Sequence, residues 1–159
     1  MAPVGVSWAG QTESPLWFDT AREFTERWHH QQQIREAVGV ESIAEPQFLS
    51  PVISTLIRAT PYWYRTVSPP EGTNVSIQIQ GDSGGEWVLT YSETKWCLKV
   101  GSAPSPDVAV RMPEDTAWRF LTRTISNTQA ESKMSFFGDG EIARCFLNVV
   151  AIMMPKELR

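Results

Sequence analysis

The sequence is poor in the residues that most readily betray a function. Its two cysteines, Cys97 and Cys145, stand far apart without C-x-x-C spacing, which excludes a disulfide framework or a zinc knuckle and predicts two buried fillers. It has only two histidines, the adjacent His29 and His30, which counts against a catalytic zinc because such a metal takes three protein ligands. No cluster of Lys or Arg interleaved with aromatics occurs, and the formal net charge is −4, so nucleic acid is not an expected partner. Apolar runs fall short of the ~20 residues that cross a bilayer, and no charged, apolar and small-residue series opens the chain as a signal peptide would. No membrane partner and a cytoplasmic location are therefore expected.

What is present is ordinary globular composition, with 42% hydrophobic residues, 20% charged residues and seven Trp. At 159 residues the chain can bury one core, so one domain with a short appendage is expected.

Residues 1–18 have no periodicity and read as an extended arm whose Trp8 and Trp17 must dock on something. Thr20 and Glu23 have capping-box spacing and Gly39 offers a stop, which predicts a helix over 20–38. Val52, Ile53, Leu56 and Ile57 predict a second helix from Phe48 to Ala59, ended or bent by Pro61. The Tyr62-Trp63-Tyr64 cluster behind it reads as a packing wedge. Beyond Pro70 the period becomes two. Val75, Ile77 and Ile79, then Trp87, Leu89 and Tyr91, then Trp96, Leu98 and Val100, then Val108, Val110 and Met112 mark four strands. The connections at 81–85 and 92–94 are too short for crossovers, so the run 74–100 is predicted to be antiparallel. A helix over 114–124, a polar stretch 126–132, a strand at Met134 and Phe136, and a final amphipathic helix from Ile142 to Met153 complete the order. The expected class is α+β.

The one conspicuous constellation lies in the first helix. Glu26 and His30 are one turn apart on one face, with Phe24 and Trp28 toward the opposite side. A carboxylate and an imidazole so placed can bind one divalent metal. An i,i+4 ion pair on a solvated helix is the plainer reading of the same spacing.

The stretch Trp17 to Arg35 resembles the last bundle helix of the mycothiol-dependent maleylpyruvate isomerase family, which is related to DinB-like metalloproteins. Its E-x-x-x-H-x-x-D-I-R pattern is matched by Glu26, His30, Ile34 and Arg35, with Gln33 in place of the aspartate. Residues 47–154 are similar to that family's SCP2-like C-terminal domain, with Pro106-Asp107-Val108 and Gly138-Asp139-Gly140 as weak signatures. The resemblance implies an N-terminal arm and bundle-type helix over 1–40 and an SCP2-like domain over 41–159, with a mainly antiparallel sheet packed with helices. It implies Glu26 and His30 as ligands of a divalent metal, zinc above all, with a low-molecular-weight thiol as cofactor and Arg123 near the substrate. For Arg123, a helix-terminal residue capping carbonyls is the simpler reading.

Because the family's earlier bundle helices do not precede this helix, the chain resembles a C-terminal portion or truncated relative of a metal- and thiol-dependent isomerase, catalytically incomplete alone. The alternatives are a binding module for a lipid or other apolar small molecule, lined by Val75, Ile77, Ile79, Trp87 and Leu89, and an interaction subunit pairing through helix 20–38. That pairing would be with a second copy as a homodimer, or with a missing bundle subunit. A small apolar or thiol-linked ligand is the other expected partner.

Overall fold

The computed structural model describes residues 15–151, so Trp8 and Met153 lie outside the described residues. Helix α1, Leu16–Ala37, begins one turn earlier than the capping spacing predicts. Its N-cap is Pro15 in extended geometry without a side-chain cap, and Phe18 in the first turn is buried, so packing rather than Thr20 sets the start. The predicted stop holds: Gly39 adopts φ +69, and the Val40 amide reaches back to the Arg35 carbonyl at 2.9 Å. The buried stripe of α1 is Phe18, Thr25, Trp28, His29 and Gln32. Phe24, expected beside Trp28, is exposed at the rim instead, because the seven-residue step from Phe18 falls on Thr25.

Helix α2, Pro46–Leu56, runs through a 3-10 turn, Ile57–Ala59, into the five-residue α3, Thr60–Tyr64. Pro61 cannot donate to the Ile57 carbonyl four residues back, and the Thr60 hydroxyl donates to it instead at 2.6 Å. The chain therefore bends at Pro61 without leaving that carbonyl unpaired.

Strands β1 (Asn74–Gln80), β2 (Gly85–Ser92), β3 (Lys95–Val100), β4 (Val108–Pro113) and β5 (Ser135–Gly138) form one sheet in the order β3-β2-β1-β4-β5. The predicted antiparallel run 74–100 is present, and β4–β5 is antiparallel too. The sheet is nevertheless mixed. β4 returns past the β2–β3 hairpin to lie parallel to β1, with Val75, Ile77 and Ile79 opposite Val108, Val110 and Met112. Helices α4 (Glu114–Leu121), α5 (Asn127–Glu131) and α6 (Gly140–Cys145) follow the fourth strand, with β5 between α5 and α6. The polar stretch 126–132 contains α5, closed by a capping box between Ser126 and Gln129. The final helix is shorter than expected: α6 tightens into a 3-10 turn, Phe146–Asn148, and Val149 is extended.

The helices cover one sheet face. Its registered apolar rows, such as Ile77 opposite Trp87 and Leu89 opposite Leu98, pack against Val52, Ile53, Leu56, Trp118 and Leu121 in one core. The other face carries Gln78, which donates to Glu86 at 2.8 Å, and Arg111 above Phe137. Cys97 is exposed on that side, because it alternates with the core-facing Trp96 and Leu98 and pairs with Thr90, whereas Cys145 is buried as predicted.

Candidate functional site

The outer side of α1 carries the two residues singled out by spacing. Glu26 and His30 are both exposed. His30 Nδ1 lies 3.0 Å from Gln33 Oε1, so an Nδ1–H donated to the amide leaves Nε2 with its lone pair outward. Gln33 thus orients the ring from the position where the family pattern has aspartate, as a neutral acceptor and not a charged one. The described residues contain no group of three or more His, Cys, Asp and Glu that could hold a metal. Two donors on an exposed helix fall short of a three-ligand set, so no chemical step is derived through a metal.

The inner side of α1 holds polar residues that spacing did not single out. His29 is only 7% exposed. Its Nε2 lies 3.5 Å from Thr124 Oγ1, which is 2.8 Å from Thr122 Oγ1, and the Thr122 hydroxyl donates to the Trp118 carbonyl at 2.9 Å. One donor direction satisfies the series: imidazole N–H to Thr124, Thr124 to Thr122, Thr122 to the carbonyl. Burial lowers the His29 pKa, the neighbouring His30 lowers it further, and Glu36 opposes both. The signal in the sequence was the spacing of His29 to Thr25 and Gln32, which marks the buried face.

Beside this seam, Trp28 stands perpendicular to Trp118 at 5.2 Å and donates its indole N–H to the Ile43 carbonyl at 3.1 Å. Gln32 Oε1 accepts from the Ile43 amide at 3.1 Å. Arg119 on α4 bonds Glu36 on α1 and Asp115 on its own helix, the latter at 2.9 Å. Burial works against its charge, yet the two carboxylates outweigh burial and raise its pKa.

Arg123 follows α4 in a left-handed conformation, φ +57, the position after a helix end where glycine is usual. Its guanidinium donates to Asn127 Oδ1 and, at 3.5 Å, to the Leu147 carbonyl, so it ties the end of α4 to α5 and the last 3-10 turn. Burial lowers its pKa. Its chain neighbour Thr124 meets His29, the neighbour of His30, but among the described residues no hydrogen bond or ion pair joins Arg123 to Glu26 or His30.

A third feature is the layer between sheet and helices. Val75, Ile77, Ile79, Trp87 and Leu89 all point into it and are buried. Over β2 and β3 the covering consists of short pieces. Trp63 Nε1 donates to the Val150 carbonyl at 2.8 Å, Tyr64 Oη to the Ile142 carbonyl at 3.0 Å, and Trp96 Nε1 to the Val67 carbonyl at 2.9 Å. The Ala151 amide donates to the Leu121 carbonyl at 3.0 Å. Tyr64 and Tyr91 each stand 5.2 Å from Trp96, giving this end of the layer an aromatic wall. Burial pushes the Tyr64 phenol far up and the Cys145 thiol up as well, so both stay protonated at neutral pH.

No protein-family model matches the sequence, and no curated protein matches it either. Among solved structures, the chain is similar to sterol carrier protein 2-like 2 of Aedes aegypti. Its crystal structure aligns at 18% identity over 62% of this chain and 95% of that one, with a TM-score of 0.46. The solution structure of the palmitated form aligns at 19% identity over 63% and 97%, with a TM-score of 0.48. The chain is also similar to a stereoselective inverting sec-alkylsulfatase from a Pseudomonas species, at 12% identity over 87% of this chain and 30% of that one, with a TM-score of 0.40.

Proposed function

We propose that the chain is a binding module for an apolar small molecule, held between the inner sheet face and the short helices over β2 and β3. One observation carries this reading. The inner face is apolar from Val75 to Phe136 apart from the Tyr91 hydroxyl, and its cover at one end is made of helices of five and six residues, α3 and α6. Helices that short do not stand alone, and these are held to each other and to the segment after α6 by a few side-chain bonds: Trp63 to the Val150 carbonyl, Tyr64 to the Ile142 carbonyl, and the Cys145 thiol to the Trp63 carbonyl at 3.7 Å. Local opening of such a cover exposes hydrocarbon to an entering chain or ring without uncovering a buried charge. The test is titration of the purified chain with a brominated fatty acid, read by tryptophan quenching. Saturable quenching that weakens in Trp96→Phe is expected. Its absence, together with no lipid in an organic extract of the protein, overturns the reading.

A second reading is favoured by the outer side of α1, where Ile34 and, just past the helix end, Val38 are exposed one turn apart. Pairing of that side with a second copy covers it and brings two Glu26/His30 pairs together, a donor set large enough for zinc and for thiol-dependent isomerase chemistry. Trp28 is buried in its own chain and takes no part. An Ile34→Asp, Val38→Asp variant should sediment as a monomer at concentrations where the wild type is dimeric, and equal masses for the two exclude the pairing.

A further inference from the structure

The helix that covers the proposed ligand layer also carries an unusual outer surface. From Pro46 to Pro70 there is no Asp or Glu, although the whole chain has a net charge of −4. On the outside of this segment Arg58, Tyr62 and Arg65 follow one another at helical spacing, and both arginines are exposed. Each lies on an aromatic ring: Arg58 is 4.8 Å from the Trp17 centroid and Arg65 is 3.7 Å from that of Tyr62. Neither makes an ion pair among the described residues. Trp17 is 54% exposed and Leu16 70% exposed. The nearest acid on α1 in sequence, Asp19, pairs with Arg22 at 3.3 Å.

We propose that this surface, formed by Leu16, Trp17, Arg58, Tyr62 and Arg65, docks on an anionic phospholipid bilayer; the inference rests on the apolar-ligand reading. The chemistry of the patch fits an interface: rings and an aliphatic side chain for the acyl boundary, and guanidinium groups at headgroup depth. No helix of the described residues is long and apolar enough to cross a membrane, and docking requires none. The expectation of no membrane partner came from the lack of a spanning run, which speaks to crossing alone. Helix α3 joins the two sites. Tyr62 lies on its outer side, while Tyr64 and the indole N–H of Trp63 bind the carbonyls of Ile142 and Val150 beneath. Contact with headgroups therefore acts on the cover of the layer, at the place where a lipid would enter or leave.

Each arginine near an anionic surface is worth about a fivefold factor in binding, and the pair about thirtyfold. The test is co-sedimentation with phosphatidylcholine vesicles, with and without phosphatidylserine, for wild type and an Arg58→Gln, Arg65→Gln variant. The wild type should bind the anionic vesicles and not the neutral ones, with the variant weaker by about thirtyfold and with unchanged circular dichroism. Brominated fatty acid titration in the absence of vesicles should be the same for both, which separates failure of docking from failure of the ligand reading. Equal vesicle binding by the variant, no preference for phosphatidylserine, or displacement of bound protein by an acidic polypeptide at the same concentration in charge would overturn the proposal.

Discussion

Replacing Trp28 tests whether α1 belongs to the same cooperative unit as the sheet. The ring is 6% exposed, packs edge-on to Trp118 at 5.2 Å, and donates to the Ile43 carbonyl at 3.1 Å. Trp28→Ala removes both interactions and opens a cavity between α1 and α4, which costs about 3–5 kcal/mol. Trp28→Phe keeps most of the ring but leaves the Ile43 carbonyl without its donor, which costs about 1–2 kcal/mol. Ile34→Ala, on the exposed side of the same helix, should stay within about 0.5 kcal/mol of wild type. At about 2–4 °C per kcal/mol for a domain of this size, the Ala variant should melt about 6–20 °C lower. Guanidinium unfolding followed by far-ultraviolet circular dichroism gives the free energies without interference from seven tryptophans. An Ala variant within about 1 kcal/mol of wild type would refute the docking of α1 on α4 and the fixed outward aim of Glu26 and His30.

Three further outcomes follow from single positions. Gly138→Ala should destabilise by about 1–3 kcal/mol, because a Cβ there would lie 2.0 Å from the Asp107 carbonyl oxygen at a φ of +86; a neutral substitution in thermal melts would show that β5 is not seated as described. Tyr64→Phe should cost about 1 kcal/mol by removing the donor to Ile142, and a stability gain by calorimetry would contradict a bonded phenol. Burial holds the His29 pKa below its ordinary 6.5, so the unfolded chain takes up a proton that the folded chain refuses. Stability should fall as pH drops through about 6.5 toward the folded-state value, and His29→Gln should flatten that slope; a wild-type stability that rises over the same window is the contrary result.

The strands were the legible part of the fold because each row of alternating residues meets an equivalent row. Val75, Ile77 and Ile79 find Leu89 and Trp87 on one side and Val108, Val110 and Met112 on the other. The alternation says which residues face the core, but not which strand lies next to which. The parallel pairing of β1 with β4 arises from the path of the chain around the β2–β3 hairpin and has no local signature. Capping-box spacing does not by itself mark a helix start. Thr20 and Glu23 have the spacing of a capping box yet lie inside α1, while Ser126 and Gln129, in a stretch read only as polar, form a real one. The motif is two residues at a spacing, and it becomes a cap only where the chain ahead is free to leave the helix axis. At Thr20 the buried Phe18 holds the preceding turn helical instead.

Helix geometry also separates the two histidines. With one turn per 3.6 residues, adjacent side chains are about 100° apart, so His29 and His30 cannot share a surface. The family pattern selects His30 and Glu26, which stay on the exposed side, and says nothing of His29. The buried stripe selects His29, whose imidazole takes part in the Thr124–Thr122 series at the end of α4. One helix therefore presents two different polar faces, one already satisfied by its own body and one available to whatever approaches. A Glu26→Gln, His30→Gln variant should leave folding untouched while any function of the outer face is lost. His29→Gln should move the unfolding transition first, and only that division of effects is compatible with the geometry of α1.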